Sequence, residues 1–323
     1  MIDNRQAQLL SFVKSIILDD EIMLLPLNGD ASFRRYFRVK GKNLIAVDSP
    51  PATQKNQEFI AIDEALAKVF IKVPKVVAYN LDDGFMLLED LGELTFANVA
   101  VGEKREHYYL EAIKLLPKIA SIQDLNLPIF DEKFISFELS LFETWMLEKR
   151  LNIKLDERER AILDKTYAYL IQNCLSQTQV FMHRDFHSRN LMLCGDKLAV
   201  IDFQDMVKGP LCYDLASIVY DCYVQLDSKL IDKLLKQAYL QYQQSGFLKD
   251  ISFEQFKVQN TLTSLQRHIK VLGIFCRLSI RDHKDGYLKD LPTVIDYVLK
   301  ECSNDPNLQE FKGIIEKYVV GQF

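Results

Sequence analysis

The residues best suited to chemistry lie in His183-Arg184-Asp185-Phe186-His187-Ser188-Arg189-Asn190. Twelve positions beyond Asn190 comes Asp202-Phe203-Gln204-Asp205. Asp185 offers a carboxylate that can take the proton of a hydroxyl. Asn190 and Asp202 offer an amide and a carboxylate oxygen, the donors preferred by a hard cation such as Mg²⁺. A base and two oxygen ligands at this spacing suit phosphoryl transfer, in which a protein mainly positions groups and neutralises charge on phosphate oxygens. His183 is expected to organise the loop through hydrogen bonds. His187, Arg189, Gln204 and Asp205 fall at the mouth of such a site, either touching substrate or satisfying loop backbone. Asp214 reads as an anchor for the loop or a helix cap.

The spacing H-x-D-x-x-x-x-N is that of a kinase catalytic loop, and the apolar run Leu198–Ile201 delivers Asp202 as a strand delivers the kinase D-F-G aspartate. Elements to carry these groups can be read along the chain. Strands are expected at 24–27, 33–39, 44–47, 73–78 and 85–88, with a helix over 56–69 after the third. That is the order of a kinase small lobe. For the nucleotide, the turn Gly29-Asp30-Ala31-Ser32 keeps only the first glycine of G-x-G-x-x-G, yet its N–H groups and the Ser32 hydroxyl can meet phosphates. Arg34 shares a strand face with Ser32, Tyr36 and Arg38, while Arg35 alternates to the other. Glu89 and Leu91, in the crossing segment 89–92, complete the expected nucleotide contacts. One departure is awkward: the third strand ends Ile45-Ala46-Val47-Asp48, where a kinase has lysine. An arginine supplies the missing charge, or Asp48 faces away, or catalysis is impaired.

Beyond residue 92 the periodicity is mostly helical, at 103–123, 134–150, 156–175, 211–226, 228–246, 253–282 and 292–302. Strands at 180–182 and 191–201 bracket the loop. The expected fold is therefore α+β and bilobal, protein-kinase-like. Residues 1–92 form a small five-stranded antiparallel nucleotide lobe, and 93–323 form a large, mostly helical catalytic and substrate lobe. On the 253–282 helix, Arg267, Lys270, Arg277 and Arg281 project within about 80° of one another. They read as a solvated basic face or, for Arg267 above all, a substrate wall. Phe137, Leu141, Phe142 and Trp145 form an aromatic stripe for the core, with Trp145 also able to stack on a sugar.

The chain has 323 residues, 48% of them hydrophobic and 26% charged, the profile of a globular enzyme. A net charge of −5 gives no basic field for nucleic acid or an anionic membrane. No apolar run approaches the roughly 20 residues of a spanning helix. Six cysteines without metal-like spacing suggest reduced thiols, and the N-terminus has no signal-peptide pattern. A cytoplasmic protein with no obligate protein partner is expected.

These motifs resemble the aminoglycoside phosphotransferase and choline kinase-like superfamily. That likeness implies ATP and Mg²⁺, with Asp185 as base and Asn190 and Asp202 as metal ligands. GDASFRRYFRV (29–39), LIAVDSPP (44–51), GFMLLEDLG (84–92), HRDFHSRNLM (183–192), DFQDMVKGPLCYDLAS (202–217) and QRHIKVLGIFCRL (266–278) are similar to a narrower group. This group is the bacterial anomeric sugar kinases of cell-wall recycling. By that resemblance the group also lacks the third-strand lysine, and the acceptor is the C1 hydroxyl of N-acetylmuramate or N-acetylglucosamine. Two alternatives stay open: another acceptor (an aminoglycoside, choline or homoserine), and an inactive pseudokinase serving as a binding module.

Overall fold

Alternation of apolar and polar residues organises the first of two compact units in the computed structural model, which describes residues 3–27 and 34–323. The unit comprises 1–101, 122–125 and 189–205. Its sheet is antiparallel throughout, in the order β1-β2-β3-β5-β4, from β1 (Leu24–Leu27), β2 (Arg35–Val39), β3 (Leu44–Asp48), β4 (Val76–Asn80) and β5 (Phe85–Glu89). Helix α1 (Asn4–Ile17), capped by Asp3 accepting from Gln6 N at 2.8 Å, lays Leu9 and Val13 on Phe37, Val39, Ala46, Phe85 and Leu87. That apolar contact fixes which sheet face is sealed. Period-two alternation then places Arg35 and Asp48 on the α1 side and Arg34, Tyr36 and Val47 on the other. Helix α2 (Asn56–Lys68) follows β3, and the short α3 (Phe96–Val99) follows the sheet.

The expected strand over 191–201 is instead a hairpin, β7 (Leu191–Cys194) and β8 (Lys197–Val200). Gly195, at φ +59°, makes the turn in a conformation that side chains rarely adopt. The backbone of Lys72 pairs with β8, its carbonyl accepting from Val200 N at 2.8 Å.

The second unit, 102–121, 126–188 and 206–323, is helix-rich. It contains α4 (Arg105–Ile113), α5 (Leu116–Ala120), α6 (Glu132–Leu141), α7 (Glu157–Ser176), α8 (Tyr213–Val219), α9 (Ser228–Gln244), α10 (Phe253–Asp282), α11 (Leu291–Ser303) and α12 (Gln309–Tyr318). A two-stranded sheet pairs β6 (Gln179–Met182) with β9 (Val207–Pro210). Three expected boundaries shift. The 103–123 helix breaks before α5, whose first turn holds Pro117. The 134–150 helix changes to π geometry over Phe142–Arg150, where the α10 backbone crosses it. There Gly273 has no room for a side chain, since a Cβ would sit 2.3 Å from the Leu141 carbonyl carbon. Finally, the 211–226 helix ends at Val219.

Helix α10 is the axis of this unit, packing Leu265, Ile269, Leu272 and Cys276 into a core with Phe142, Met146, Leu147 and Phe311. The six cysteines are free thiols. Among the described residues, no helix is long and apolar enough to cross a membrane.

Deep in this core His268 stacks on Tyr297, ring centroids 4.9 Å apart. Its Nδ1 lies 3.0 Å from both Glu301 carboxylate oxygens, and its Nε2 lies 3.0 Å from the Tyr220 carbonyl oxygen. With acceptors at both nitrogens, the ring is held as imidazolium. Burial alone would lower its pKa, but the Glu301 carboxylate outweighs burial and pushes it from 6.5 up to about 10. A folded-state pKa raised in this way gives stability fully present below about 6.5 and lost as pH rises through about 10. The urea midpoint should therefore fall between pH 7 and pH 10.5, and by clearly less in His268→Gln. Equal falls in both proteins would refute the coupling.

Candidate active site

Strand β6 delivers the loop His183–Ser188. Two backbone donors at its start, His183 N and Arg184 N, reach the Asp214 carboxylate at 2.7 and 3.0 Å. Asp214 is buried in the first turn of α8, so it anchors the loop as expected. The anchor holds Arg184 at φ +75°, a strained conformation for a residue with a side chain. Phe186 is fully buried, with the His183 ring edge-on at 6.0 Å. The loop's far end is pinned by Asp221, whose Oδ2 accepts from Ser188 N at 2.8 Å. Between the two anchors, Asp185 is half-buried, its carbonyl accepting from His187 N at 3.0 Å.

Burial would raise the Asp185 pKa, but the positive charge around it, that of Lys270 foremost and of Arg184, outweighs burial and holds the carboxyl far below the usual range. The balancing anion is Glu138 on α6, itself buried. It takes Arg184 Nη2 at 2.9 Å, Gln266 Nε2 at 3.2 Å and Lys270 Nζ at 3.7 Å. The Arg184 guanidinium also lies over the Phe134 ring, 5.0 Å from its centroid. Arg267, 4% exposed, donates Nη2 to Ser217 Oγ at 2.8 Å and lies 5.3 Å over the Tyr213 ring. Its charge reaches both His187 and Asp214. The expected solvated basic face is thus corrected. Arg267 and Lys270 are buried in the core, Arg277 is half-buried, and only Arg281 is exposed, paired with Asp282.

In the first unit, Asn190 and Asp202 flank the β7–β8 hairpin, closed by Ile201 N donating to the Asn190 carbonyl at 3.0 Å. The Asn190 Nδ2 lies 3.4 Å from Asp202 Oδ2, and Gln204 Nε2 donates to Asp202 Oδ1 at 2.7 Å. Asp202 is exposed and adopts φ +61°. Phe203 anchors the turn by stacking on Phe59 of α2 at 4.8 Å. One carboxylate and one amide oxygen fit Mg²⁺, which takes few protein ligands and fills its octahedron with water and phosphate.

Arg34 lies on the sheet face opposite α1, its Nε donating to Ser49 Oγ at 3.0 Å and its guanidinium 4.9 Å over the Phe59 ring. Burial raises the Tyr36 phenol pKa, the Arg34 cation opposes the rise and the Asp202 carboxylate adds to it, so both charges lie close to that ring. Asp48 turns toward α1 instead, bound by Arg5 Nε at 2.8 Å and Arg35 Nε at 2.9 Å. Arg38 pairs with Asp90 and Glu93. Of Arg34, Arg35 and Arg38, Arg34 is the one beside the metal-ligand candidate.

The remaining candidates are spread more widely. Glu89 binds Lys72 Nζ at 2.5 Å, and Leu91 is buried. Arg189 and Asp205 are exposed. Gly29 and Ser32 lie outside the described residues. Trp145 packs on the core with Lys149 Nζ 3.8 Å over its ring. Glu138 and Asp221 were missed by sequence reasoning. Glu138 sits among Ile135, Leu139 and Leu141, and a charge on an apolar helix stripe was the available signal. Asp221 was read as part of a continuous helix.

The profile of the phosphotransferase enzyme family (APH) matches residues 24–248. The chain belongs to that family and is an enzyme, a small-molecule phosphotransferase. It is 33% identical over 301 residues to an N-acetylmuramate/N-acetylglucosamine kinase of Pseudomonas putida, covering 92% of this chain and 89% of that one. A protein of the same description from Pseudomonas aeruginosa is 34% identical over 295 residues, 90% of this chain and 87% of the relative. Among solved structures, a choline/ethanolamine kinase family protein from Mesorhizobium loti superposes with a TM-score of 0.65 at 12% identity, covering 97% and 99% of the two chains. The α+β kinase-like fold expected from the sequence is thereby borne out.

Proposed function

We propose that this enzyme transfers the γ-phosphoryl group of ATP to the anomeric hydroxyl of N-acetylmuramate or N-acetylglucosamine. The observation that carries this reading is the similarity, over about nine-tenths of the chain, to two kinases described by those sugars. The charge around Asp185 supports it. Arg184 and Lys270 gather there, and Glu138 is already engaged by both of them, which disfavours a cationic acceptor such as choline.

In this reading Asp185 accepts a hydrogen bond from the C1 hydroxyl and orients its oxygen toward the γ-phosphorus. As the new P–O bond forms, the bond to the β–γ bridging oxygen breaks and ADP leaves, the proton passing late to Asp185. An anomeric hydroxyl is more acidic than an ordinary alcohol, so a weak base suffices. Asn190 and Asp202 would hold Mg²⁺, which would neutralise charge on the phosphates. Arg34 supplies the cation that the third strand lacks. Arg267, whose buried Nε and Nη1 make no hydrogen bond, is the cation this reading assigns to the lactyl carboxylate of muramate.

Incubation with Mg-ATP and a sugar panel, read by mass spectrometry, tests the reading. N-acetylmuramate or N-acetylglucosamine should give a monophosphate and the 1-O-methyl sugars none; product from a 1-O-methyl sugar excludes anomeric transfer. In the same assay, Arg34→Ala should raise the KM for ATP. Arg267→Ala should raise the KM for N-acetylmuramate more than that for N-acetylglucosamine, and equal effects would remove the carboxylate assignment.

A further inference from the structure

An aromatic row leads away from the catalytic loop within the second unit. His187, two positions after Asp185, meets the Tyr223 ring edge to face, 5.2 Å between centroids and 83° between planes. Tyr223 lies over Phe275 at 6.3 Å and 30°, and Phe275 leans on Tyr287 at 5.3 Å and 39°. Phe275 is 4% exposed, whereas His187, Tyr223 and Tyr287 are half-buried. The row thus has a buried backing and an accessible rim.

Its position is fixed by one carboxylate. Asp221 Oδ2 accepts from Ser188 N and Asp221 Oδ1 from Tyr223 N, both at 2.8 Å. The segment carrying Tyr223 is therefore tied to the same side chain that pins the loop of Asp185. Tyr223 packs on the core of this unit, and the Asp221 bond holds its backbone in register with the proposed base.

We infer that Tyr223, backed by Phe275, is the platform on which the pyranose ring of the acceptor lies beside Asp185. This rests on the sugar-kinase reading above and names the contact that selects a sugar. A pyranose presents a face of C–H bonds, and a rigid aromatic side chain covers such a face at little entropic cost. Ligand sites of this kind combine an apolar surface with a few fixed polar groups. His187 is such a group: it touches the Tyr223 ring, and its buried Nδ1 makes no hydrogen bond, leaving it for a sugar hydroxyl.

The test compares Tyr223→Leu and Tyr223→Phe with the wild-type chain, using N-acetylglucosamine and Mg-ATP. Tyr223→Leu should raise the KM for the sugar at least tenfold and leave that for ATP within twofold, and Tyr223→Phe should restore sugar affinity. A sugar KM within twofold of wild type in Tyr223→Leu overturns the platform, as does a parallel rise in both KM values. Should the leucine variant fail to fold, ring-labelled tyrosine NMR of the wild-type chain decides. The Tyr223 signal, assigned by its loss in Tyr223→Phe, should shift on adding N-acetylglucosamine, and an unmoved signal overturns the inference. Wild-type protein that neither binds nor phosphorylates amino sugars overturns the proposed function and the platform together. Wild-type turnover with an indifferent Tyr223 overturns the platform alone.

Discussion

Asp185→Asn is expected to lower kcat at least about a thousandfold, with the KM for Mg-ATP within about threefold of wild type. General-base catalysis contributes about 10²–10⁴-fold. The low pKa of the Asp185 carboxyl makes it a poor proton acceptor until late in the reaction, so much of its contribution is orientation of the attacking oxygen. An amide keeps the size of the carboxylate but loses its charge and its ability to accept the proton. The measurement is steady-state turnover at saturating sugar, with nucleotide binding followed separately. A kcat within tenfold of wild type would sink the assignment of Asp185 as the base.

The largest stability effect should come from Glu138→Ala. Arg184 and Lys270 share this one carboxylate, and Glu138 is only 3% exposed. Its removal leaves two cations without their counter-ion, and breaking a buried pair in this way costs about 3–5 kcal/mol. Urea unfolding should register a loss of that size. Activity should fall as well, because Arg184 precedes Asp185 and depends on Glu138 for its side-chain position. Combining Glu138→Gln with Lys270→Met should recover part of the loss, since the double variant removes one stranded charge. A loss below about 1 kcal/mol in the alanine variant would show that water or Asp185 compensates the cations instead.

How much of this was legible in the sequence follows from chain distance. Asp185, Asn190 and Asp202 lie within one short stretch, so their spacing alone suggested a base and a metal pair. Asp214 was readable because it opens a helix soon after the loop. Glu138 lies 46 positions from Arg184, and Asp221 lies 33 from Ser188. Nothing local in either segment announces its partner. Alternation sorted the arginines of 34–38 into two faces, but naming the face that α1 seals required knowing where α1 packs. The same packing explains Asp48, which looked like a defect in a phosphate site and is the counter-ion of Arg5 and Arg35. The basic stripe was misread as solvated because helical spacing reports that residues share a face and says nothing of what covers it. The break after Val219 had no proline or glycine to mark it. It arises where the Tyr220 carbonyl turns to His268 and Asp221 turns back to the loop.

Helix α10 also constrains how the family can vary. Within one and a half turns, Gln266 meets Glu138, Arg267 meets Ser217, His268 meets Glu301 and the Tyr220 carbonyl, and Lys270 meets Tyr213 and Glu138. One residue inserted or deleted upstream within this helix would rotate every one of those side chains by roughly 100°. No compensating substitution at a single position could restore them. Insertions and deletions among relatives should therefore gather in the loops before Ser252 and after Asp282, while the stretch between keeps a constant length even where its residue types drift. The helix acts as a ruler, in which the count of residues sets the register of every one of these contacts.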